Sequence, residues 1–345
     1  MNGSVFAGWN WQPPAHWTKI SCIDLHAGGE PLRVLVDGVP PMEGRTVLEK
    51  RRYFRDHLDY IRKATMWEPR GHADMYGAVL TPSVDADFDA FFLHNEGYST
   101  MCGHAVIALT TFVHQTGLLN SAPGNELTIN VPAGRIHAKA VLRQGIVTSA
   151  SFRNVPSFVL LRDEEVDVDG LGRVRFDVAY GGAFYAFVDA AQLGVALVPG
   201  NVSRHIEIGR LIKRAVAAKF RICHPFEEDL SFLYGTILTG PPQEPGHHSR
   251  NVCIFADGEI DRSATGSGVS ARVALHYANG ELKLGEKITI ESIIGTTMSV
   301  EAVEQTKFGP YDAVIPEVGG TAYLAGRCEF WFDPNDPLKD GFFLR

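Results

Sequence analysis

The sequence predicts an α+β protein built from two related α/β halves, and three observations favour this fold class. The chain has 345 residues, and at about 150 residues per domain this length predicts two domains. Short β-like runs between turn residues outnumber helical stretches, as expected for a chain with 35 glycines and 19 prolines. A pattern of strand, glycine turn and helix occurs twice, with helix starts at Cys102 and Thr265.

Composition excludes several classes of protein. The net charge is −8, and because no Lys/Arg block is present we expect no nucleic-acid partner. No window approaches the roughly 18 apolar residues of a membrane span, and the chain start does not resemble a secretory signal. The five cysteines include no Cys-x-x-Cys pair, which argues against a disulfide framework or zinc ribbon. We therefore expect free thiols in a reducing, cytoplasmic setting.

The elements follow from local patterns. Residues 1–17 carry three tryptophans and predict an irregular arm, while Glu43–Tyr60 and Ser203–Phe220 have helical character. Asp163–Gly172 is acidic and bounded by glycine, which predicts a linker. The predicted strands are Leu32–Val36, Ala78–Leu80, Ala90–Leu93, Leu127–Val131, Ile136–Leu142, Ile146–Phe152, Arg173–Val178, Ala183–Val188, Phe232–Leu238, Asn251–Ala256, Lys287–Ser292 and Met298–Val303.

The two helix starts organise the halves. They lie 163 residues apart, about half the chain. We expect a first half over residues 1–172 that carries the Cys102 motif. The C-terminal segment 325–345 can complete this half. We expect a second half over residues 173–324 that carries the motif of Asp261 and Thr265.

A helix that begins at Cys102-Gly103-His104 presents unpaired backbone N–H groups and the positive end of its dipole. This environment lowers a thiol pKa below its usual value of about 8.5 and binds small anions such as a carboxylate. The second start, at Thr265, offers the same features. Two such ends facing one cleft would hold an amino-acid-sized carboxylate with Cys102 and Thr265 beside its α-carbon. The alternative is that Cys102 is an inert buried thiol.

Neighbouring polar residues leave their roles open. His104 could activate Cys102, but positions i and i+2 of a helix do not face each other, so we favour a contact with substrate through the ring or the backbone N–H. Asp261, four residues before Thr265, fits equally a helix-entry cap and an anionic clamp for an ammonium group. His247-His248 has no third ligand at a sensible spacing, so a metal site is not expected.

Several motifs together resemble those of the proline racemase family, a group that includes 4-hydroxyproline epimerases and trans-3-hydroxy-L-proline dehydratases. The resemblance extends over nearly the whole chain from about Ile20. The motifs that carry it are Met101-Cys102-Gly103-His104, Asp261-Arg262-Ser263-Ala264-Thr265-Gly266-Ser267-Gly268, His26-Ala27-Gly28-Gly29-Glu30-Pro31-Leu32-Arg33 and Pro69-Arg70-Gly71-His72-Ala73-Asp74-Met75-Tyr76-Gly77-Ala78.

The resemblance implies a fold of two halves, each a mostly antiparallel sheet wrapped around a central helix, as in diaminopimelate epimerase-like proteins, with the active site in the cleft between them. It also implies an imino-acid substrate, a homodimer, and no metal or organic cofactor. Cys102 is then the catalytic base for the α-proton, and the substrate-binding residues implied are Gly103, His104, Asp261, Gly266, Ser267 and His224. Gly103, His104, Gly266 and Ser267 would bind the carboxylate, Asp261 the ring nitrogen, and His224 would line the pocket.

One departure from the family pattern is informative. Racemases and epimerases carry a second cysteine where this chain has Thr265, and inversion needs proton exchange on both faces of the α-carbon near neutral pH. A threonine hydroxyl ionises far above neutral pH, so the resemblance implies the dehydratase branch. Cys102 would remove the α-proton and the 3-hydroxyl would leave as water, giving Δ2- and then Δ1-pyrroline-2-carboxylate. We expect a syn elimination in which Cys102 or His104 delivers the proton to the departing hydroxyl, while Thr265 orients the ring or a water.

Three alternatives remain. A proline racemase or 4-hydroxyproline epimerase would use Cys102 with a water relayed by Thr265. A cysteine hydrolase would need a histidine that reaches Cys102 from elsewhere in the chain. A binding protein would capture imino acids without converting them.

Overall fold

The computed structural model describes residues 9–119 and 123–344. Within these ranges the first part of the chain forms β1 (Thr18–Ala27), β2 (Glu30–Asp37), α1 (Val47–His57), α2 (Asp59–Met66), β3 (Tyr76–Thr81), β4 (Phe88–His94), β5 (Tyr98–Ser99), α3 (Gly103–Thr116), β6 (Glu126–Val131), β7 (Gly134–Arg143) and β8 (Ile146–Arg153). The second part forms β9 (Ser157–Val168), β10 (Gly172–Tyr180), β11 (Phe184–Asp189), α4 (Val202–Lys219), β12 (Leu233–Gly240), β13 (Ser249–Phe255), β14 (Glu259–Asp261), α5 (Gly266–Ala278), β15 (Ile288–Glu291), β16 (Thr297–Phe308), β17 (Tyr311–Gly320) and β18 (Ala322–Phe332).

The strands form two α/β halves with mainly antiparallel pairing. In the first half β18, β1, β2, β3, β4, β6, β7 and β8 pair in that order. In the second half β9, β10, β11, β12, β13, β15, β16 and β17 pair in that order, and β17 pairs back with β9 to close the sheet. β17 also pairs with β8, which joins the two sheets.

The internal repeat predicted from the sequence is present strand for strand. β4 pairs antiparallel with β5 and parallel with β6, and α3 lies between β5 and β6 in the chain. β13 pairs in the same way with β14 and β15, and α5 lies between them. The matching topology confirms that two copies of one α/β unit build the chain.

Helices α3 and α5 are buried on all sides, and most of their residues are apolar or small, although Arg272 of α5 is buried as well. All residues of α3 from Gly103 to Val113 are buried, as are all residues of α5 from Gly266 to Leu275. A helix that is hydrophobic all round belongs in the interior of a protein. Both helices belong to the larger hydrophobic cluster of the core, and this fixes where their N-termini lie.

The predicted strands and helices are confirmed, with α1 beginning inside Glu43–Tyr60 and α4 matching Ser203–Phe220. The linker prediction is wrong, because β9 continues to Val168 and turns directly into β10, with which it pairs. The division into 1–172 and 173–324 stays a prediction. Residues 9–17 form neither helix nor strand, as expected for the arm, and residues 1–8 lie outside the described ranges.

Candidate active site

The N-termini of α3 and α5 meet head to head. A Cβ added to Gly103 would lie 2.5 Å from the Cα of Gly266, and a Cβ added to Gly266 would lie 2.6 Å from the Cα of Gly103. The two backbones can approach so closely because neither Gly103 nor Gly266 has a Cβ atom. Both sets of unpaired N–H groups and both positive dipole ends therefore converge on one region, so these glycines serve the approach of one helix to the other.

A small cavity of about 20 Å³ lies at this junction. Seven of the eight predicted site residues line it, namely Cys102, Gly103, His104, Asp261, Thr265, Gly266 and Ser267. The remaining lining residues are Tyr76, Met101, Tyr185, Tyr234, Cys253 and Phe255. The cavity is thus shared by both halves of the chain.

Cys102 precedes α3 with extended backbone angles, φ −142° and ψ 107°. Its Sγ lies 3.1 Å from Nδ1 of His104. The expectation that these two residues do not face each other is wrong, because the i, i+2 rule applies to residues that are both helical and Cys102 is the N-cap. A cysteine–histidine pair is therefore formed within the motif itself.

Burial controls the protonation of this pair. It raises the pKa of the Cys102 thiol well above its usual range, although the backbone N–H of Ala105 and the hydroxyl of Tyr76 lower it. The predicted lowering by the helix end is thus outweighed by desolvation. Burial likewise lowers the pKa of His104, against the influence of the Asp261 carboxylate. A neutral imidazole beside a neutral thiol can accept the thiol proton.

Thr265 occupies the corresponding N-cap position of α5 with a strained backbone, φ 67° and ψ 90°. For a β-branched residue this left-handed conformation is an outlier that costs on the order of 1–3 kcal/mol. Its Oγ1 is buried and makes no hydrogen bond to any described residue. The nearby Cys253 thiol is buried, which raises its pKa, while the Thr265 side chain lowers it. Its strained backbone and its unpartnered polar atom make Thr265 a candidate functional residue.

Asp261 closes the turn that leads into α5. Its Oδ1 accepts a hydrogen bond of 2.7 Å from the backbone N–H of Ser263, and Thr265 N–H in turn donates to Ser263 Oγ at 3.0 Å. The carboxylate therefore caps the approach to α5 and not the first turn of the helix itself. It is 5% exposed and still lines the cavity, so the cap and the clamp are compatible.

His224 is the predicted site residue that the structure does not bring to the cavity lining. Its Nδ1 accepts hydrogen bonds from the backbone N–H groups of Phe226 and Glu227, at 3.3 and 3.0 Å. Its ring packs against Tyr180, with 5.2 Å between centroids. His224 follows α4 and its ring stabilises a local turn, so it does not line the cavity.

Sequence reasoning missed the aromatic wall of the cavity and its second thiol. Tyr76 lies inside a family-like motif, and Cys253 and Phe255 lie in the strand of the second repeat, but Tyr185 and Tyr234 carried no signal. A motif identifies residues that act on the reacting atoms, whereas the rest of the wall depends on how distant strands pair. No group of three metal-ligating side chains occurs within the described ranges.

The fold and the site define a protein of two paired α/β units whose helix N-termini meet at one small cavity. The family model described as "Proline racemase" matches residues 22–343. A protein of Colwellia psychrerythraea named trans-3-hydroxy-L-proline dehydratase is 49% identical, covering 97% of this chain and 96% of its own length. The chain therefore belongs to the proline racemase family.

Two further comparisons agree with this assignment. A human protein named trans-3-hydroxy-L-proline dehydratase is 46% identical over 94% of this chain and 95% of its own. The crystal structure of a hydroxyproline epimerase from Agrobacterium vitis, with bound trans-4-hydroxy-L-proline, is 30% identical and superposes with a TM-score of 0.90. That alignment covers 96% of both chains. Separately, none of the helices in the described part of the chain has the length and apolar character of a membrane span.

Proposed function

We propose that this protein is a trans-3-hydroxy-L-proline dehydratase, a hydro-lyase that removes water from a cyclic imino acid. The observation that carries the proposal is the chemical asymmetry of the cavity: a thiol, Cys102, caps one helix end and an alcohol, Thr265, caps the other. The names of relatives more than 40% identical over nearly their whole length support the same activity.

The substrate carboxylate binds between the two helix ends. The backbone N–H groups of Gly103 and His104 face it from one half, and those of Gly266 and Ser267 face it from the other. Such groups bind anions well because they are unpaired and share the sign of the helix dipole. The negative charge that develops on the carboxylate as the α-proton leaves is stabilised by the same groups. Asp261, whose carboxylate lines the cavity, holds the ring nitrogen.

Cys102 is the base. His104, 3.1 Å from its sulfur, accepts the thiol proton, and the resulting thiolate takes the α-proton. Thr265 cannot exchange protons near neutral pH, so the opposite face is inactive for inversion and Thr265 orients the ring or a water. Cleavage of the C3–O bond then gives Δ2-pyrroline-2-carboxylate and water, and the enamine tautomerises to the Δ1 imine.

The finer description of the fold also belongs to this proposal. The burial of α3 and α5 on all sides supports sheets wrapped around central helices, as in diaminopimelate epimerase-like proteins. The cysteines of the described ranges are all free thiols, which is compatible with a cytoplasmic location. The homodimer stays a prediction that the mass of the protein in solution would test.

The experiment is direct. Purified protein is mixed with trans-3-hydroxy-L-proline, and the cyclic imine is detected with an o-aminobenzaldehyde-type reagent. We expect C102S to abolish the product and T265A to retain part of the activity. Equal losses in the two variants would contradict the division of roles between the two caps.

The same preparation is incubated with L-proline and with trans-4-hydroxy-L-proline while the optical rotation is followed. Appearance of the opposite stereoisomer, with no imine from trans-3-hydroxy-L-proline, would make the protein a racemase or epimerase and overturn the proposal.

A further inference from the structure

Three phenols line the cavity, and none of them has a role in the reaction steps proposed above. Tyr76, Tyr185 and Tyr234 all line the cavity and are at most 5% exposed. The hydroxyl of Tyr185 is paired with Ser267 Oγ at 2.7 Å. The hydroxyl of Tyr234 is buried and makes no hydrogen bond to a described residue. A buried polar atom without a partner is uncommon and calls for a ligand or a function.

Tyr76 connects this unpartnered hydroxyl to the catalytic pair. Its ring lies 4.8 Å from the ring of His104, and its hydroxyl is close enough to lower the pKa of Cys102. The same hydroxyl bonds to Ser99 Oγ and is close enough to influence Tyr234. Tyr76 is therefore a neighbour of both the catalytic pair and Tyr234, and all of these residues line the same cavity.

The dehydration needs a group that donates a proton and a group that accepts one. Hydroxide is a poor leaving group, so the departing 3-hydroxyl has to receive a proton as the C3–O bond breaks. The proton that Cys102 takes from the α-carbon has to leave the thiol before the next turnover, and a relay meets both requirements at once.

We infer that Tyr234 protonates the departing hydroxyl and that Tyr76 returns the α-proton from Cys102 to Tyr234; this inference rests on the proposed dehydratase activity. The Cys102 thiolate takes the α-proton, and the electron pair of the C2–H bond forms the C2–C3 double bond. The C3–O pair leaves with oxygen, which takes the Tyr234 proton to become water. Tyr76 reprotonates Tyr234, and the Cys102 thiol reprotonates Tyr76, so the thiolate is restored.

The other neutral donors in the cavity fit this role less well. The Tyr185 hydroxyl is engaged with Ser267, which belongs to the carboxylate cradle. His104 lies directly against the sulfur, where it serves to form the thiolate. Burial raises the pKa of Tyr76 and of Tyr234 well above the usual range, so both phenols stay protonated and the transfers are concerted. This transfer through the phenols differs from the sequence expectation that Cys102 or His104 delivers the proton directly, and the test below decides between the two.

The test uses the full-length protein and the variants Y234F and Y76F, each of which removes one hydroxyl. Imine formation from trans-3-hydroxy-L-proline is measured beside the incorporation of deuterium at C2 of the remaining substrate in D₂O. We expect imine formation to fall at least about 100-fold in both variants, as for loss of a general acid. In Y234F deuterium incorporation persists, because Cys102 still removes the α-proton and Tyr76 still accepts it from the thiol. In Y76F deuterium incorporation falls as well, because the thiol has lost its proton acceptor. The control is Y180F, which removes another buried, unpartnered phenol outside the cavity lining and should leave both rates near wild type.

A second substrate distinguishes the loss of a proton donor from damage to the folded site. trans-3-Fluoro-L-proline loses fluoride, and fluoride needs far less proton assistance than hydroxide as it leaves. Y234F should therefore release fluoride from this substrate at nearly the wild-type rate. Variants that keep wild-type imine formation, or a Y234F protein that loses deuterium exchange and fluoride elimination in parallel with dehydration, would overturn the relay. If the wild-type protein forms no imine from trans-3-hydroxy-L-proline, the proposed function itself fails, and this outcome is distinct from failure of the relay.

Discussion

Replacement of Gly103 by alanine tests whether the head-to-head contact of α3 and α5 builds the site. The new Cβ would lie 2.5 Å from Gly266 Cα, 2.7 Å from Gly266 C and 3.0 Å from Ser267 N. All three are backbone atoms, so no side-chain rotation relieves the clash. To reach an ordinary contact of 3.4 Å, the two helix ends have to separate by about 0.9 Å.

The magnitude follows from this displacement. Overpacking of a well-packed core typically costs about 1–3 kcal/mol, and a misplacement of about 1 Å in a catalytic site lowers the rate on the order of 100-fold. We expect G103A to show both effects, measured as a lower free energy of unfolding and a lower kcat/KM for imine formation. Because the two Cβ atoms would compete for one gap, the double variant G103A/G266A should lose less than the sum of the single losses.

Gly268, two residues after Gly266 in α5, provides the control. Its added Cβ would meet Cδ1 of Ile237 at 2.4 Å and Cγ2 and Cβ of Thr265 at 3.1 and 3.2 Å. These are side-chain atoms and not backbone atoms, and the Ile237 side chain can move aside. We expect G268A to keep kcat/KM within about a factor of ten of the wild type. Wild-type stability and turnover in G103A would refute the reasoning, because the helix ends would then tolerate separation.

Three further predictions concern the second cap, a buried carboxylate and a pair of thiols. T265C places a thiol on the inactive face, and we expect formation of the opposite stereoisomer of proline or hydroxyproline; no trace of it by chiral chromatography would mean that more than one residue separates the two activities. In the folded protein burial raises the pKa of Glu291, but hydrogen bonds from two backbone N–H groups and from Arg250 bring it down to about 2. At about 1.36 kcal/mol per pKa unit, the carboxylate contributes about 3 kcal/mol that is present above pH 4.5 and lost as the pH falls towards 2. Chemical denaturation at neutral pH should show that loss for E291Q, and an unchanged unfolding midpoint would contradict it. Cys22 and Cys328 are directly opposed in the antiparallel pair β1–β18, a spacing that a disulfide can bridge. Hydrogen peroxide, reduced to water, should join them, as a cross-linked peptide that is absent from C328S; no such peptide in the oxidised protein would show that the thiols cannot meet.

Much of the fold could be predicted from local patterns. The glycine-bounded apolar runs correspond to strands, and the repeat placed helix starts after Cys102 and Thr265. These features depend on residues close together in the chain, where backbone preference and side-chain periodicity act directly. The acidic segment after residue 162 was misread because a polar hairpin on the surface and a linker have the same composition.

The sequence by itself determined the two-fold plan of the chain, the positions of its two helix caps and the chemical difference between a thiol and an alcohol at those caps. Only the tertiary structure decided that Gly103 contacts Gly266 and that His104 reaches the Cys102 sulfur. It also decided that three tyrosines line the cavity and that His224 does not. The physical reason is distance along the chain. Caps and periodicity act within a few residues, whereas the cavity wall joins strands more than 150 residues apart, and their contacts exist only once the two halves pack against each other.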